Sequence, residues 1–173
     1  MYQVVEFVAA NFVPVQIQVS NTTLMQQFKV TWTPTFIVLD ADGSERYRVV
    51  GFLAPEDFIA TFMVAKARWH FEAGRYGDAL AAFGEALKAY PNGPAAAEAI
   101  FYQGVAGYKH SHDPKPLRAA YDLLASQYAE RMGQAGRAVS PHPPVRRQAS
   151  RISHQASYII TPLSPLGFGR RGV

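Results

Sequence analysis

The chain has 173 residues, of which 49% are hydrophobic and none is cysteine, and its formal net charge is +4. Because it has no thiol, the sequence excludes disulfides, thiolate zinc sites, iron–sulfur clusters and cysteine nucleophiles. It also lacks an apolar run of about 18 residues, so we expect no membrane-spanning helix, no membrane partner and a cytoplasmic location.

The first elements alternate between helix and strand. Apolar residues at positions 4–12 recur at three- and four-residue spacings, which predicts an amphipathic helix. The β-branched residues of Val13–Val19 predict a strand, and Pro14 marks its start because proline cannot donate to a central ladder. Asn21 is a good helix cap, so a short helix follows and ends near Lys29 or Val30.

A hairpin comes next. Thr35–Leu39 contains a continuous apolar run, which is typical of a strand buried on both faces. Asp40–Gly43 predicts the turn, Arg46–Val50 predicts the returning strand, and Pro55 begins a further helix. The turn could instead be a calcium loop, but its glycine comes two positions early and no Glu closes a loop of about 12 residues. We therefore prefer the hairpin.

This order of elements, with Trp32-Thr33-Pro34-Thr35 before the buried strand and Asp-x-Asp-Gly after it, resembles the C-terminal half of a thioredoxin-like domain over residues 1–65. The resemblance implies a cis Thr33–Pro34 bond and a substrate-binding site at Trp32, Thr33 and Pro34 that contacts a peptide. The alternative is a turn that only leads into the buried strand. Intact relatives are implied to act in thiol–disulfide exchange and cell redox homeostasis.

The same resemblance implies that the Cys-x-x-Cys half would precede Met1. We therefore expect no catalytic residue, no metal and no cofactor in this chain. The family's strand between Val13–Val19 and Thr35–Leu39 would also be absent. We expect these two strands to pair directly, in a three-stranded sheet with the order Val13–Val19, Thr35–Leu39, Arg46–Val50.

From Phe58 onward, small and aromatic residues have the spacing of helix–turn–helix repeats. The first copy has Ala67, Gly74, Tyr76, Ala79, Phe83, Ala86 and Pro91, and a degraded second copy has Gly104, Tyr108, Leu117, Tyr121 and Leu124. The pattern predicts four helices that resemble tetratricopeptide repeats, and the helix from Pro55 is expected to run into the first of them. The combination resembles bacterial thioredoxin-family proteins with a helical extension.

Between the last two predicted helices lies His110-Ser111-His112-Asp113, which offers side chains able to bind a metal. Adjacent ligands without a distant fourth ligand seldom form a closed metal site. We therefore expect this segment to be a helix–helix connection.

The C-terminal segment differs in composition from the rest. All 13 acidic residues lie within residues 1–130 beside 10 basic ones, whereas residues 131–173 hold seven arginines and no acidic residue. Because Arg, Pro, Gly and Ser dominate, we predict a disordered tail. Its arginine pairs could contact phosphates, but aromatic residues are sparse and we do not expect a nucleic acid as partner. We expect both ends of the chain to be truncated or replaced.

The sequence thus predicts an α/β segment followed by an all-α segment. The expected parts are a truncated thioredoxin-like βαββα domain at residues 1–65, tetratricopeptide-like helical hairpins at 66–132 and a disordered tail at 133–173. Our first functional hypothesis is a non-catalytic remnant of a thioredoxin-like protein, and so not an enzyme. The alternative is a protein-interaction module that binds a peptide in the groove of the helical repeats. A protein or peptide partner fits both, and the oligomeric state stays open.

Overall fold

Residues 2–137 and 156–162 are described by a computed structural model. The elements in chain order are α1 (Tyr2–Asn11), β1 (Phe12–Gln18), α2 (Thr22–Gln27), β2 (Thr35–Leu39), β3 (Glu45–Val50), α3 (Pro55–Glu72), α4 (Tyr76–Ala89), α5 (Ala96–Ser111), α6 (Lys115–Arg137) and β4 (Ala156–Pro162). The predicted α/β segment followed by helices is confirmed. None of the helices in this described part of the chain has the length and apolar character needed to span a membrane.

The described residues fall into two compact units. The sheet unit consists of the residues up to Ile59 together with β4, and the helical unit runs from Ala60 to Arg137. Helix α3 is continuous from Pro55 to Glu72, as predicted, and therefore contributes residues to both units.

The sheet unit contains four strands in the order β1-β4-β2-β3. Strand β4 is antiparallel to β1, from Phe12 opposite Pro162 to Gln18 opposite Ala156, and it is parallel to β2. The predicted three-stranded order is therefore wrong, because β4 separates β1 from β2. Direct pairing would also satisfy the facing edges of β1 and β2, but a strand inserted between them pairs both of these edges and, in addition, its own backbone N–H and C=O groups on both sides.

The prediction of a disordered tail over residues 133–173 is wrong at two places. Gly133–Arg137 continue α6, and Ala156–Pro162 form β4. The rest of the predicted tail lies outside the described residues. The local sequence favours strand β4, because Tyr158–Thr161 is an unbroken run of residues with high strand propensity. The average composition of the whole segment conceals that run.

Strand β1 lies at an edge of the sheet, which explains how it accommodates a proline. Pro14 is the third residue of β1 rather than its start. An edge strand has a free side on which a missing N–H removes no ladder bond. The core beside the sheet is formed by Ile17, Ile37 and Leu39 from the strands, with Leu24, Phe28 and Val30 packed against them.

The helical unit has its helices in the predicted places. Its core is built around Phe83, which is fully buried, and around the small side chains of Ala67, Ala79, Ala86, Ala99 and Ala106. Helices α5 and α6 approach closely where Gly104 lies, since a Cβ at that position would be 2.5 Å from the Cβ of Ala120. Glycine is therefore required there by packing rather than by backbone conformation.

Candidate functional site

The residues predicted to bind substrate lie in the loop that joins α2 to β2. Helix α2 begins where the side-chain oxygen of Asn21 accepts a hydrogen bond from the N–H of Leu24 at 3.1 Å. It ends at Gln27, and two residues later Lys29, with a φ of 49°, turns the chain away from the helix direction. The guanidinium of Arg48 on β3 donates to the carbonyl oxygen of Phe28 at 2.7 Å. The start of the loop is thus attached to the hairpin.

The second half of the loop is fixed by two further hydrogen bonds. The Thr35 hydroxyl donates to the carbonyl oxygen of Trp32 at 2.6 Å, and the N–H of Gly51 donates to the carbonyl oxygen of Pro34 at 2.8 Å. Pro34 and Thr35 are buried. The peptide bond between Thr33 and Pro34 is cis, which confirms that prediction. The backbone before β2 is therefore held by one hydrogen bond within the loop and by one from Gly51, the residue that follows β3.

Three apolar side chains near this backbone are largely exposed, and we call them the aromatic loop surface. Trp32 is 67% exposed, Val50 is 55% exposed and Phe52 is 74% exposed. Val50 lies opposite Thr35 in the hairpin register, so the end of β3 is next to the loop. Single exposed apolar residues are ordinary, but several around one fixed backbone segment are typical of a contact surface.

Sequence reasoning named Trp32, Thr33 and Pro34 but missed Val50 and Phe52. The signal that could have found them is the hairpin itself. Once its two strands are placed in antiparallel register, the residues that follow β3 must return beside the residues that precede β2. Whether any of these residues binds a substrate remains a prediction.

The turn of the hairpin is organised by Asp40. One carboxylate oxygen accepts from the N–H groups of Asp42 and Ser44, at 3.1 and 2.9 Å, and the other accepts from Nε of Arg46 at 2.8 Å. Both the hydrogen bond from Arg46, which has the larger effect, and the one from Ser44 lower the pKa of the Asp40 carboxyl. Gly43 has a φ of 79°, as a tight turn requires. The hairpin prediction is confirmed, and both oxygens of Asp40 are used within it.

Of the segment His110-Ser111-His112-Asp113, the first two residues are the last two of α5, and the other two belong to the short connection to α6. The Ser111 hydroxyl donates to the carbonyl oxygen of Gly107 at 2.8 Å, and His112 ends α5 in the left-handed region with a φ of 59°. The Asp113 carboxylate accepts from the N–H of Lys115 at the start of α6. The predicted helix–helix connection is therefore confirmed for His112 and Asp113, but it is wrong for His110 and Ser111, which continue the helix. Within residues 2–137 and 156–162, no group of three or more His, Asp or Glu residues is placed to hold a metal ion.

The alternative peptide site was predicted in the helical unit, and this unit has a groove. The groove has a volume of about 410 Å³ and is formed by side chains from α4, α5 and α6. Its lining includes Leu80, Ile100, Gln103, Gly107, Pro116 and Leu123. The groove is mostly apolar, with Gln103 offering an amide.

Comparison with known proteins gives one match. Residues 1–65 match the family model of the thioredoxin-like domain. This match covers the loop before β2, the hairpin and the first part of α3, but it does not extend over α4, α5 and α6. The comparison with curated proteins yields no match, and neither does the comparison with solved structures.

Proposed function

We propose that the chain is a non-catalytic thioredoxin-like protein that binds a peptide or protein partner at the aromatic loop surface. The observation that carries the proposal is the exposure of Trp32 and Phe52 beside a backbone fixed by two hydrogen bonds. Aromatic side chains are enriched among the residues that dominate binding energy. A backbone that is already ordered loses little conformational entropy when a partner binds.

The proposal concerns binding and not thiol chemistry. Thiol–disulfide exchange requires a thiolate as nucleophile, and this chain has no cysteine. We therefore expect no reduction of insulin disulfides by the purified protein above the rate of the buffer. A cytoplasmic location is part of the same proposal, and immunodetection after cell fractionation would test it.

The test uses a library of synthetic peptides on an array, probed with the wild-type chain and with two matched variants. Trp32→Ala is expected to lower the signal of the bound peptides at least about tenfold, since aromatic anchors contribute roughly 2 kcal/mol or more. Tyr121→Ala is the control, because Tyr121 is 66% exposed, as Trp32 is at 67%, but lies on α6. Equal signals from the two variants would contradict a partner site at the aromatic loop surface.

The groove of the helical unit supports a second candidate function. We propose the helices of residues 66–132 as tetratricopeptide-like repeats, and the groove of about 410 Å³ between α4, α5 and α6 is the observation that favours a peptide there. Gln103→Ala removes an amide of the groove lining and leaves the aromatic loop surface intact. Loss of array binding in Gln103→Ala, with binding retained in Trp32→Ala, would favour the groove over the loop.

A further inference from the structure

We propose that the space between β1 and β2 is a strand-acceptor site, which residues 156–162 occupy as a tethered strand. When the tethered strand is disabled, the site takes the same segment from a separate molecule. The proposal goes beyond binding at the aromatic loop surface, which involves the loop before β2 and the end of β3.

The backbone of the sheet supplies the first argument. Strand β1 pairs only with β4 among the described strands, and β2 pairs with β4 on one side and β3 on the other. Without β4, strand β1 would have no strand partner and β2 would have one free edge. Free edges present rows of unpaired N–H and C=O groups, which readily accept another strand.

The side chains of the two flanking strands supply the second argument. Phe12 and Ile17 on β1 are 2% and 7% exposed, and Ile37 and Val38 on β2 are each 1% exposed. The acceptor site therefore lies between strands that carry buried apolar residues. A strand rich in β-branched and aromatic residues fits such surroundings, and the sequence of β4, Ala-Ser-Tyr-Ile-Ile-Thr-Pro, has this character.

The third argument is the distance along the chain. Strand β4 begins 117 positions after Leu39 and is separated from the end of α6 by 18 residues. Its pairing with β1 and β2 therefore does not depend on a tight connection to either strand. Because the segment is joined to α6 through only these 18 residues, its effective concentration at β1 and β2 is about millimolar. In the wild-type chain the attached strand should thus exclude a free peptide present at micromolar concentration.

The first experiment tests occupancy by the chain's own strand and exploits the absence of native cysteine. Gln16 lies opposite Tyr158 in the register, so the double variant Gln16→Cys/Tyr158→Cys should form an intramolecular disulfide in a glutathione buffer. The control is Gln16→Cys/Ser157→Cys, because Ser157 lies opposite Ile17 instead. We expect at least tenfold faster closure in the first variant, measured by mass spectrometry. Equal rates would overturn the proposal.

The second experiment tests whether the site accepts a separate strand. Ile159→Pro in the full-length chain removes a backbone donor from a central strand position, and Ser150→Pro places a proline before the strand as control. The probe is a fluorescein-labelled peptide of residues 154–164. We expect Ile159→Pro to bind it at least tenfold more tightly than the wild type or Ser150→Pro, by fluorescence anisotropy.

Equal affinity for all three chains, equal binding of a scrambled peptide, or no binding to any of them would overturn the proposal. If circular dichroism reveals that Ile159→Pro does not fold, Ile159→Gly replaces it, because glycine weakens the strand while keeping its N–H. The same order of affinities is expected for that variant, with a smaller difference.

Discussion

The contacts within the helical unit and those within the sheet unit differ in how far apart along the chain the contacting residues are. In the helical unit, α4 packs on α5 and α5 packs on α6, so these helices contact the next helix in sequence. In the sheet unit, the strand between β1 and β2 comes from residues 156–162. Closing a long loop costs more entropy than closing a short one, although the cost grows slowly with length. The stability of the sheet therefore depends on a distant segment, whereas that of the helices depends on nearby residues.

The largest effect we expect in the helical unit comes from Phe83→Ala. Phe83 is fully buried and its ring is stacked 6.2 Å from that of Tyr102, so truncation leaves a cavity among α4 and α5. We expect a loss of about 3–5 kcal/mol in the free energy of unfolding. Urea denaturation followed by far-UV circular dichroism measures it.

Phe101→Ala is the control for this variant, since Phe101 is 52% exposed. We expect it to cost well under half as much. Similar losses of unfolding free energy in the two variants would mean that packing of the local core does not determine the stability of the helical unit. The contrast with the sheet unit would then no longer hold.

An intermediate effect is expected where α5 meets α6. In Gly104→Ala the new methyl group would lie 2.5 Å from the Cβ of Ala120, so a helix must shift. Overpacking of this kind costs about 1–3 kcal/mol. Gly84→Ala is the matched control, because its nearest atom beyond its own helix is Nε2 of Gln103 at 3.5 Å.

Alanine is a better helix former than glycine by about 1 kcal/mol, so Gly84→Ala should raise the melting temperature while Gly104→Ala lowers it. Changes of opposite sign in the melting temperatures of the two variants would support a close contact between α5 and α6 at Gly104. A rise in both variants would contradict the close approach of α5 and α6.

A smaller effect, which depends on pH, is expected from His70 on α3. Burial lowers the pKa of its imidazole, the charges of Arg75 and Lys66 add to this, and Asp78, with its carboxylate 3.9 Å from Nδ1, opposes it. Since the folded-state pKa lies below the unfolded value of about 6.5, the unfolded chain binds the proton more readily. The helical unit should therefore lose stability as the pH falls from about 6.5 through the lower folded-state pKa.

Urea denaturation at pH 7.5 and pH 5.5 measures this dependence. His70→Gln should reduce the difference in unfolding free energy between the two pH values. His112→Asn serves as the control at an exposed position, where asparagine tolerates the left-handed backbone. An equal reduction in both variants would contradict a special contribution from the buried imidazole.

The helices and the hairpin could be predicted because their signals are local. Asp40 and Gly43 set a turn, Phe83 and its small neighbours set a helical period, and the resemblance of Trp32–Thr35 to a known motif gave the cis bond. Each of these signals lies within a few residues of the structure that it determines.

Strand β4 and the full extent of the candidate site could not be predicted in the same way. The run Tyr158–Thr161 consists of residues that favour strands, but no feature of the neighbouring sequence indicates that this strand pairs with β1 and β2. Averaging over the arginine-rich segment concealed even the local signal. Similarly, the position of Phe52 beside the loop follows from the antiparallel register of β2 and β3, so it is indicated only when the two strands are considered together and not by the residues around Trp32.

The most direct test of the central claim is amide hydrogen exchange of the full-length wild-type chain, followed by mass spectrometry. If residues 156–162 form the strand between β1 and β2, their amides exchange at least about 100-fold more slowly than those of an unstructured peptide of the same sequence. Their protection should approach that of Thr35–Leu39 in β2. Exchange at the rate of the free peptide, with β2 still protected, would contradict the account.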